Sequence, residues 1–253
     1  MLKAHRNPES HWHGFTRTTP EDKTRRVRQV FDSVASRYDL MNDVMSGGLH
    51  RLWKNRLVSM MRPKAGQKIL DVAGGTGDIA LRCAERSNGE AEIIVADINP
   101  EMLKIGRAKA IDNGWLNEIN WIKADAESLP FPSRSFDTLS IAFGLRNVTR
   151  IDTALAEFAR VLKPGGRFFC LEFTSGTALW LKDIFNLYAL NVIPWLGEHI
   201  AKDRASYRYL AESIVKFPDQ KTLSKRMKKA GFDGIKWSNL TGGIAVIHSG
   251  WRN

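Results

Sequence analysis

A chain of 253 residues with 43% hydrophobic side chains can bury one large core or two small ones. Its two cysteines, Cys83 and Cys170, lack metal or redox spacing, which excludes a disulfide-stapled scaffold, and no apolar run reaches bilayer-spanning length. The net charge of +11 is unevenly placed: residues 63–173 hold 14 basic and 15 acidic side chains, whereas residues 1–62 and 174–253 each hold 12 basic and 6 acidic. Such flanks suit an anionic membrane surface, nucleic acid or an acidic partner, or they are a solubilising surface and nothing more. No signal-peptide core is present, and Glu9, Glu21 and Asp22 argue against a transit peptide, so a cytoplasmic protein is expected.

Residues 1–19 are polar and without periodicity, and are expected to be mobile until bound. His11 and His13 stand apart from any Cys or carboxylate cluster, so no metal is expected. A helix starts at Thr19-Pro20-Glu21-Asp22, where a cap, a first-turn proline and early acids coincide, and it places Val27, Val30, Phe31 and Val34 on one face. From Tyr38 to Trp53, polar and aromatic groups mix at no simple period, as in a cap over a ligand or a pair of short docking helices. Helical periodicity resumes to Met61, and Arg62-Pro63-Lys64-Ala65-Gly66 is a turn. The expected division is a mobile N-terminus and helical cap over residues 1–62 and a core over 63–253.

The core opens with Ile69-Leu70-Asp71-Val72-Ala73-Gly74-Gly75-Thr76-Gly77-Asp78, a buried strand feeding a glycine-rich turn that enters a helix. Glycines there let the backbone approach a ligand, and two cofactor classes compete for the loop. Gly75-Thr76-Gly77-Asp78-Ile79-Ala80 satisfies the loose dinucleotide pattern, but Asp78 puts a carboxylate where a pyrophosphate would have to bind. S-adenosylmethionine carries no phosphate, and its sulfonium and amino groups favour acids such as Asp71 and Asp78. The plainer alternative is that Asp78 complements the helix dipole.

Strand and helix patterns then alternate, which implies a parallel sheet with helices on both faces. Glu92–Asp97 is the second strand, and its terminal Asp97 can accept bonds from both ribose hydroxyls of an adenosine cofactor. Asn99-Pro100 starts the next helix, with Met102 placed near the adenine. Ile119–Ala124 is the third strand, and Asp125 at its end can bind the adenine amino group. Phe136–Ala142 is the fourth, followed by Phe143-Gly144-Leu145-Arg146-Asn147-Val148 on the ligand side. A helix over Ile151–Leu162 stops at Lys163-Pro164-Gly165-Gly166, and Arg167–Phe173 is the fifth strand. Residues 232–251, broken at Thr241-Gly242-Gly243, read as a β-hairpin. Between them, a helical insertion over about residues 175–217 is strongly apolar at Leu179–Leu196, either as an ordinary core helix or as part of a greasy substrate channel or membrane-facing surface.

With these residues in view, the chain resembles the ubiquinone/menaquinone biosynthesis C-methyltransferases, the UbiE type, from about Gly14 to Trp251. The specific marks are Phe31-Asp32-Ser33-Val34-Ala35-Ser36-Arg37-Tyr38-Asp39, Met41-Asn42, Ser46 with His50-Arg51-Leu52-Trp53, the Asp71–Asp78 loop, Phe143–Val148 and Ser206–Ile214. The resemblance implies an α/β, Rossmann-like class I methyltransferase with a mostly parallel seven-stranded sheet, an N-terminal helical cap and the insertion after strand 5. It implies S-adenosylmethionine as cofactor and a reduced, polyprenylated quinol as acceptor, either 2-polyprenyl-6-methoxy-1,4-benzoquinol or demethylmenaquinol.

Cofactor contacts are then expected at Asp71, Gly75, Thr76, Gly77, Asp97, Met102, Asp125, Ala126 and Ala142. Ala142 stands where the family often has Ser, so a hydroxyl contact is missing or supplied by Ser140. For chemistry on the ring, Arg146 is expected to stabilise the quinol oxyanion and Asn147 to orient the ring, with Tyr207 and Asp203 as further catalytic candidates. Tyr38, Asn42, Arg51 and Tyr209 are acceptor-site candidates. The prenyl tail would bring the enzyme to an anionic membrane surface as a peripheral protein. Membership of a quinone-biosynthesis complex and a homodimer stay open, and nucleic acid is not expected. Competing readings are a methyltransferase acting on another small hydrophobic phenol, an RNA methyltransferase, or a non-catalytic scaffold.

Overall fold

The computed structural model describes residues 11–14, 16–34, 42–43, 46–174, 192, 195, 198 and 203–253. In chain order the elements are β1 (His11–His13), β2 (Thr16–Thr18), α1 (Pro20–Val34), α2 (His50–Met61), β3 (Lys68–Val72), α3 (Asp78–Arg86), β4 (Glu92–Asp97) and α4 (Pro100–Asp112). They continue with β5 (Ile119–Lys123), β6 (Phe136–Ala142), α5 (Ile151–Val161), β7 (Leu162–Phe173), α6 (Arg204–Lys216), α7 (Gln220–Lys229), β8 (Phe232–Leu240) and β9 (Ala245–Arg252).

Seven strands form one sheet in the order β5-β4-β3-β6-β7-β9-β8, in which β9 runs antiparallel to both of its neighbours. The period-two burial of the strands divides the core. Ile69, Ile93, Val95, Phe169 and Leu171 face α2, α3, α4 and α6, while Leu70, Ile94, Phe168 and Cys170 face α5 and α7. On the second face Phe168 stacks on Phe232, with ring centroids 5.0 Å apart. Each such fully buried side chain contributes about 1.5–3 kcal/mol relative to an exposed one.

From β3 the chain winds outward to β4 and β5, then crosses to β6 and winds the other way. The crevice beyond the carboxyl ends of β3 and β6 is therefore the topological switch point, where open α/β sheets bind ligands.

Two local departures from the sequence reading have simple causes. His11–His13 pairs antiparallel with Thr16–Thr18, a short ladder inside the stretch read as lacking structure. Strand β7 starts at Leu162 rather than Arg167: Leu162 already pairs with Phe136, and the Lys163-Pro164-Gly165-Gly166 stretch is absorbed where the register shifts, with Gly165 at φ 75°. No helix among the described residues is long and apolar enough to cross a membrane. Cys83 and Cys170 are buried and free.

Candidate active site

A cleft of ≈ 830 Å³, open to solvent, lies at the switch point. Its floor is Ala73, Gly75, Phe143 and Gly144; one wall is Asp97, Met102, Asp125 and Ala126; the other is α1, through Val27 and Phe31. Helix α1 reaches the site because its polar side is tied down. Asn99 caps α4 by accepting from the backbone N–H groups of Glu101 and Met102, and its Nδ2 donates to Asp32 of α1 at 2.8 Å. Lys23 Nζ donates to the Val148 carbonyl at 2.8 Å, and the Thr24 and Thr149 hydroxyls are 3.0 Å apart.

Asp97 is held for its task by the backbone. Gly75 N–H donates to Oδ2 at 2.9 Å and Asn99 N–H to Oδ1 at 2.8 Å, which aims the carboxylate into the cleft. Burial pushes its pKa up to about 6 against these hydrogen bonds. Gly75 has φ 55°, and a Cβ there would come within 3.1 Å of Met102 Cε. The loop thus passes between a hydrogen-bonding acid and a methionine, and a nucleoside fits that arrangement: hydroxyl donors for Asp97, an apolar plate for the base. Asp125, whose Oδ1 accepts from Glu127 N–H at 2.9 Å, and Ala126 stand where the far edge of that base would lie.

Other expected cofactor residues lie behind the loop. Asp71 is buried beneath Gly74 and accepts from Ser140 Oγ at 2.7 Å; its Oδ2 has no hydrogen-bond partner among the described residues. Burial pushes its pKa up to about 7, so it is a weak counter-charge for a sulfonium. The Ser140 hydroxyl is spent on Asp71, and Ala142 is not on the cleft wall, where Phe143 and Gly144 take its place. Thr76 is buried with its Oγ1 unpartnered among the described residues, an orphan group beside the cleft. Gly77, at φ 75°, starts α3; a Cβ on it would lie 2.3 Å from the Trp121 ring, so packing alone already requires a glycine there. Asp78 does complement the helix start, yet it faces Lys54 Nζ at 2.6 Å and pairs with Arg82. Burial would raise its pKa, but the Lys54 and Arg82 cations outweigh it and hold the carboxyl well below the usual range. Its charge is neutralised inside the protein, which corrects the reading of Asp78 as a partner for the cofactor.

On the acceptor side, Asn147 lines the cleft and Arg146 does not. The Arg146 guanidinium turns inward: Nη1 donates to Glu172 Oε1 at 2.7 Å and to the Phe143 carbonyl, and the head group sits over the Phe173 ring at 5.5 Å. Glu172 is fully buried; burial pushes its carboxyl up, opposed by Arg146 and by the Phe173 and Arg146 backbone N–H groups. Arg146 therefore shapes the Phe143–Asn147 turn from behind instead of presenting a free cation to an oxyanion.

Tyr209 Oη donates to Asn147 Oδ1 at 3.1 Å, and burial pushes the phenol up, so it stays a donor at neutral pH. Tyr207 is buried in α6, and Asp203 caps that helix by accepting from Ser206 N–H at 3.0 Å. Arg51 is exposed and forms a two-pronged pair with Asp43, at 3.1 and 2.8 Å. Asn42 is buried, with Nδ2 unpartnered among the described residues. Tyr38 and most of the apolar stretch of the insertion lie outside the described residues. Phe143 lines the cleft, on the ligand side where the sequence placed it. Sequence reasoning missed the α1 wall: Val27 and Phe31 were legible as an apolar face, but not as one facing a ligand.

The sequence matches the model of the ubiE/COQ5 methyltransferase family over residues 19–252. It is 50% identical over 239 residues to the ubiquinone/menaquinone biosynthesis C-methyltransferase UbiE of Teredinibacter turnerae, covering 94% of this chain and 96% of that one. It is 48% identical to the mitochondrial 2-methoxy-6-polyprenyl-1,4-benzoquinol methylase of Oryza sativa subsp. japonica, over 94% and 87% of the two chains. Among solved structures, a SAM-dependent methyltransferase of Thermotoga maritima superposes with a TM-score of 0.65 at 18% identity, covering 90% of this chain and 100% of that one. The [4+2]-cyclase SpnF superposes at 0.66, also at 18% identity, covering 90% and 96%. That a cyclase shares the architecture shows why such likeness speaks for the fold alone.

Proposed function

We propose that this chain, which belongs to the ubiE/COQ5 methyltransferase family, methylates a ring carbon of a reduced, polyprenylated quinone precursor, a 2-polyprenyl-6-methoxy-1,4-benzoquinol or a demethylmenaquinol. The observation that carries the reading is the make-up of one continuous cleft. Its nucleoside end is set by Asp97, Met102 and Asp125, its apolar end by Val27, Phe31 and Phe143, and Asn147 stands on its wall.

S-adenosylmethionine supplies an electrophilic methyl group when bound; the chain's own residues do the holding. Asp97 accepts from the ribose hydroxyls, Met102 packs on the adenine, and Asp125 with Ala126 meets its amino edge. Asp71 packs beneath Gly74 of the loop, and the Thr76 hydroxyl, unpartnered among the described residues, is open to a hydrogen bond from the cofactor. Much of the rate comes from alignment of the ring carbon with the methyl. Asn147 orients the ring: Tyr209 occupies its Oδ1, which leaves Nδ2, 3.5 Å from the Phe143 carbonyl, as the donor for a developing phenolate oxygen. Arg146 is then a positioning residue. Tyr207, Asp203, Asn42, Arg51 and Tyr38 belong to the acceptor side in this reading, as walls and caps. The prenyl tail and the basic flanks together suit an anionic membrane surface, and salt-sensitive binding to anionic liposomes tests that; sedimentation tests a homodimer or a larger biosynthetic complex.

The primary test is methyl transfer from labelled S-adenosylmethionine to reduced short-tail demethylated benzoquinol and naphthoquinol, with the oxidised rings as controls. Transfer to one or both reduced rings supports the reading; cofactor binding with transfer to neither would sink it. For Arg146, the pair Arg146→Gln with Glu172→Gln keeps the buried site neutral. The expected result is a fall in kcat with cofactor affinity held, and partial rescue by Arg146→Lys.

A further inference from the structure

The residues on the cleft wall account for the ribose and the base of S-adenosylmethionine and leave its amino-acid end, an α-carboxylate and an α-ammonium, without partners. Among the described residues that line the cleft, Arg28 of α1 is the one cation, and it is exposed. Helix α2 comes to the same edge of the sheet. Trp53 packs on Phe143 and on Phe173, the last residue of β7, with ring centroids 6.3 and 5.8 Å away, and its Nε1 donates to Thr241 Oγ1 at 2.9 Å. At the other end of the helix, the Met61 carbonyl accepts from Arg167, six residues earlier in β7. The first turn of α2 therefore stands at the carboxyl edge of the sheet, where the cleft opens.

His50 and Lys54 lie one turn apart on that helix, and both are 3% exposed. Lys54 Nζ donates to Asp78 Oδ2 at 2.6 Å, and Arg82 pairs with the same carboxylate, so two cations face one acid. An ammonium carries three donors, and Lys54 spends one of them on Asp78. The other buried acid in its field, Asp71, takes none: its Oδ2 has no partner among the described residues, and its Oδ1 accepts from Ser140. The loop joins this group to the cleft, since Gly75 lines the wall and Asp78, three residues on, meets Lys54.

His50 offers the opposite polarity. Its Nε2 is 2.9 Å from Asp43 Oδ1, and the Arg51 guanidinium beside Asp43 holds that carboxyl down to about 2. Asp43 is thus a pure acceptor, Nε2 is the donor, and the Nδ1 lone pair is left buried without a partner among the described residues. Burial and the Lys54 ammonium both hold the ring pKa below the ordinary histidine value, which keeps that lone pair free of a proton. Buried polar groups left unspent mark a place for a ligand, and here an unspent donor and an unspent acceptor share one helix face.

We propose that Lys54 and His50 hold the amino-acid end of S-adenosylmethionine, Lys54 Nζ donating to its α-carboxylate and His50 Nδ1 accepting from its α-ammonium. This rests on the cofactor and not on the acceptor, so loss of quinol methylation alone would leave it standing.

The test is calorimetric titration of the full chain with three ligands: S-adenosylmethionine, its decarboxylated form, and 5′-methylthioadenosine, which lacks the amino-acid end altogether. Lys54→Met should weaken S-adenosylmethionine tenfold or more and the other two less than threefold, and Lys54→Arg should restore part of the loss. His50→Gln, which keeps a donor for Asp43, should weaken S-adenosylmethionine and its decarboxylated form alike, several-fold, and spare methylthioadenosine. Arg82→Gln takes the second cation from Asp78 and should leave all three ligands within threefold, whatever it does to the thermal midpoint. If Lys54→Met does not fold, Lys54→Gln with Asp78→Asn keeps the buried site neutral and takes its place with the same expected pattern. Equal weakening of all three ligands by Lys54→Met would make Lys54 a prop of the loop and overturn the proposal. So would a carboxylate-specific loss that appears in Arg28→Gln and not in Lys54→Met.

Discussion

Two cavities stand back to back across one short turn and are built on opposite electrostatic plans. In the cofactor cleft, which Asp97, Asp125 and Glu127 line, backbone N–H groups aim the partly buried Asp97 at a ligand rich in donors. The second cavity, behind the Leu145–Asn147 turn, is lined by Lys23, Arg146, Arg150, Lys216 and Arg226, of which Arg146, Arg150 and Arg226 pair with Glu172, Glu127 and Asp152. The chain thus separates charge over a few residues: the turn Phe143–Asn147 gives its apolar and amide groups to one side and Arg146 to the other. The ion pair between Arg146 and Glu172 is the partition between them.

Breaking that partition should have the largest effect. Glu172→Ala strands a buried guanidinium and is expected to cost about 3–5 kcal/mol, read as a fall in the denaturant midpoint. S-adenosylmethionine affinity should fall with it, because the Phe143–Asn147 turn that Arg146 holds lines the cleft. Asp97→Asn sharpens the contrast instead: loss of charge-assisted hydrogen bonds, each worth about 1.5–3 kcal/mol, should weaken S-adenosylmethionine by roughly 10- to 100-fold and leave the denaturant midpoint nearly unchanged, as calorimetry and unfolding would show. In the unmutated protein the same acid predicts cofactor affinity that falls as the pH drops through about 6, where Asp97 takes up a proton.

Asp71 gives a smaller, opposite signal. Its folded pKa, near 7, lies above the ordinary carboxyl value, so between about pH 4 and 7 the native state binds more protons than the unfolded one. The stability this contributes is complete below about pH 4 and is lost as the pH rises through 7, with a slope of at most about 1.4 kcal/mol per pH unit. Asp71→Asn should flatten the slope while keeping an acceptor for Ser140. Least of all, Tyr209→Phe should lower kcat a few-fold with cofactor affinity unchanged, because it only frees the Asn147 amide to turn.

What the sequence disclosed and what it hid follow from the range of the interactions involved. The glycine loop, Asp97 at a strand end, Met102 one turn into a helix and Asp125 after β5 are local patterns, and the fold places Gly75 and all three of those side chains on the cleft wall. Asp78 and Arg146 carried the right chemistry for a ligand, but each is claimed by a partner 24 or 26 residues away, Lys54 and Glu172, across different elements. A single acid inside the apolar strand β7 was the one trace of the second pairing. The α1 wall was unreadable for a similar reason: the Asp32–Asn99 bond that swings Val27 and Phe31 over the cleft joins residues 67 apart.

Trp121 has a consequence for experiment. Its indole lies where a side chain on Gly77 or Gly106 would otherwise go, behind the cofactor loop and away from the ligand. A shift of that loop would therefore register in the environment of this ring. Incorporation of fluorotryptophan would turn it into an internal gauge of loop position, with the reporter never touching what is being bound.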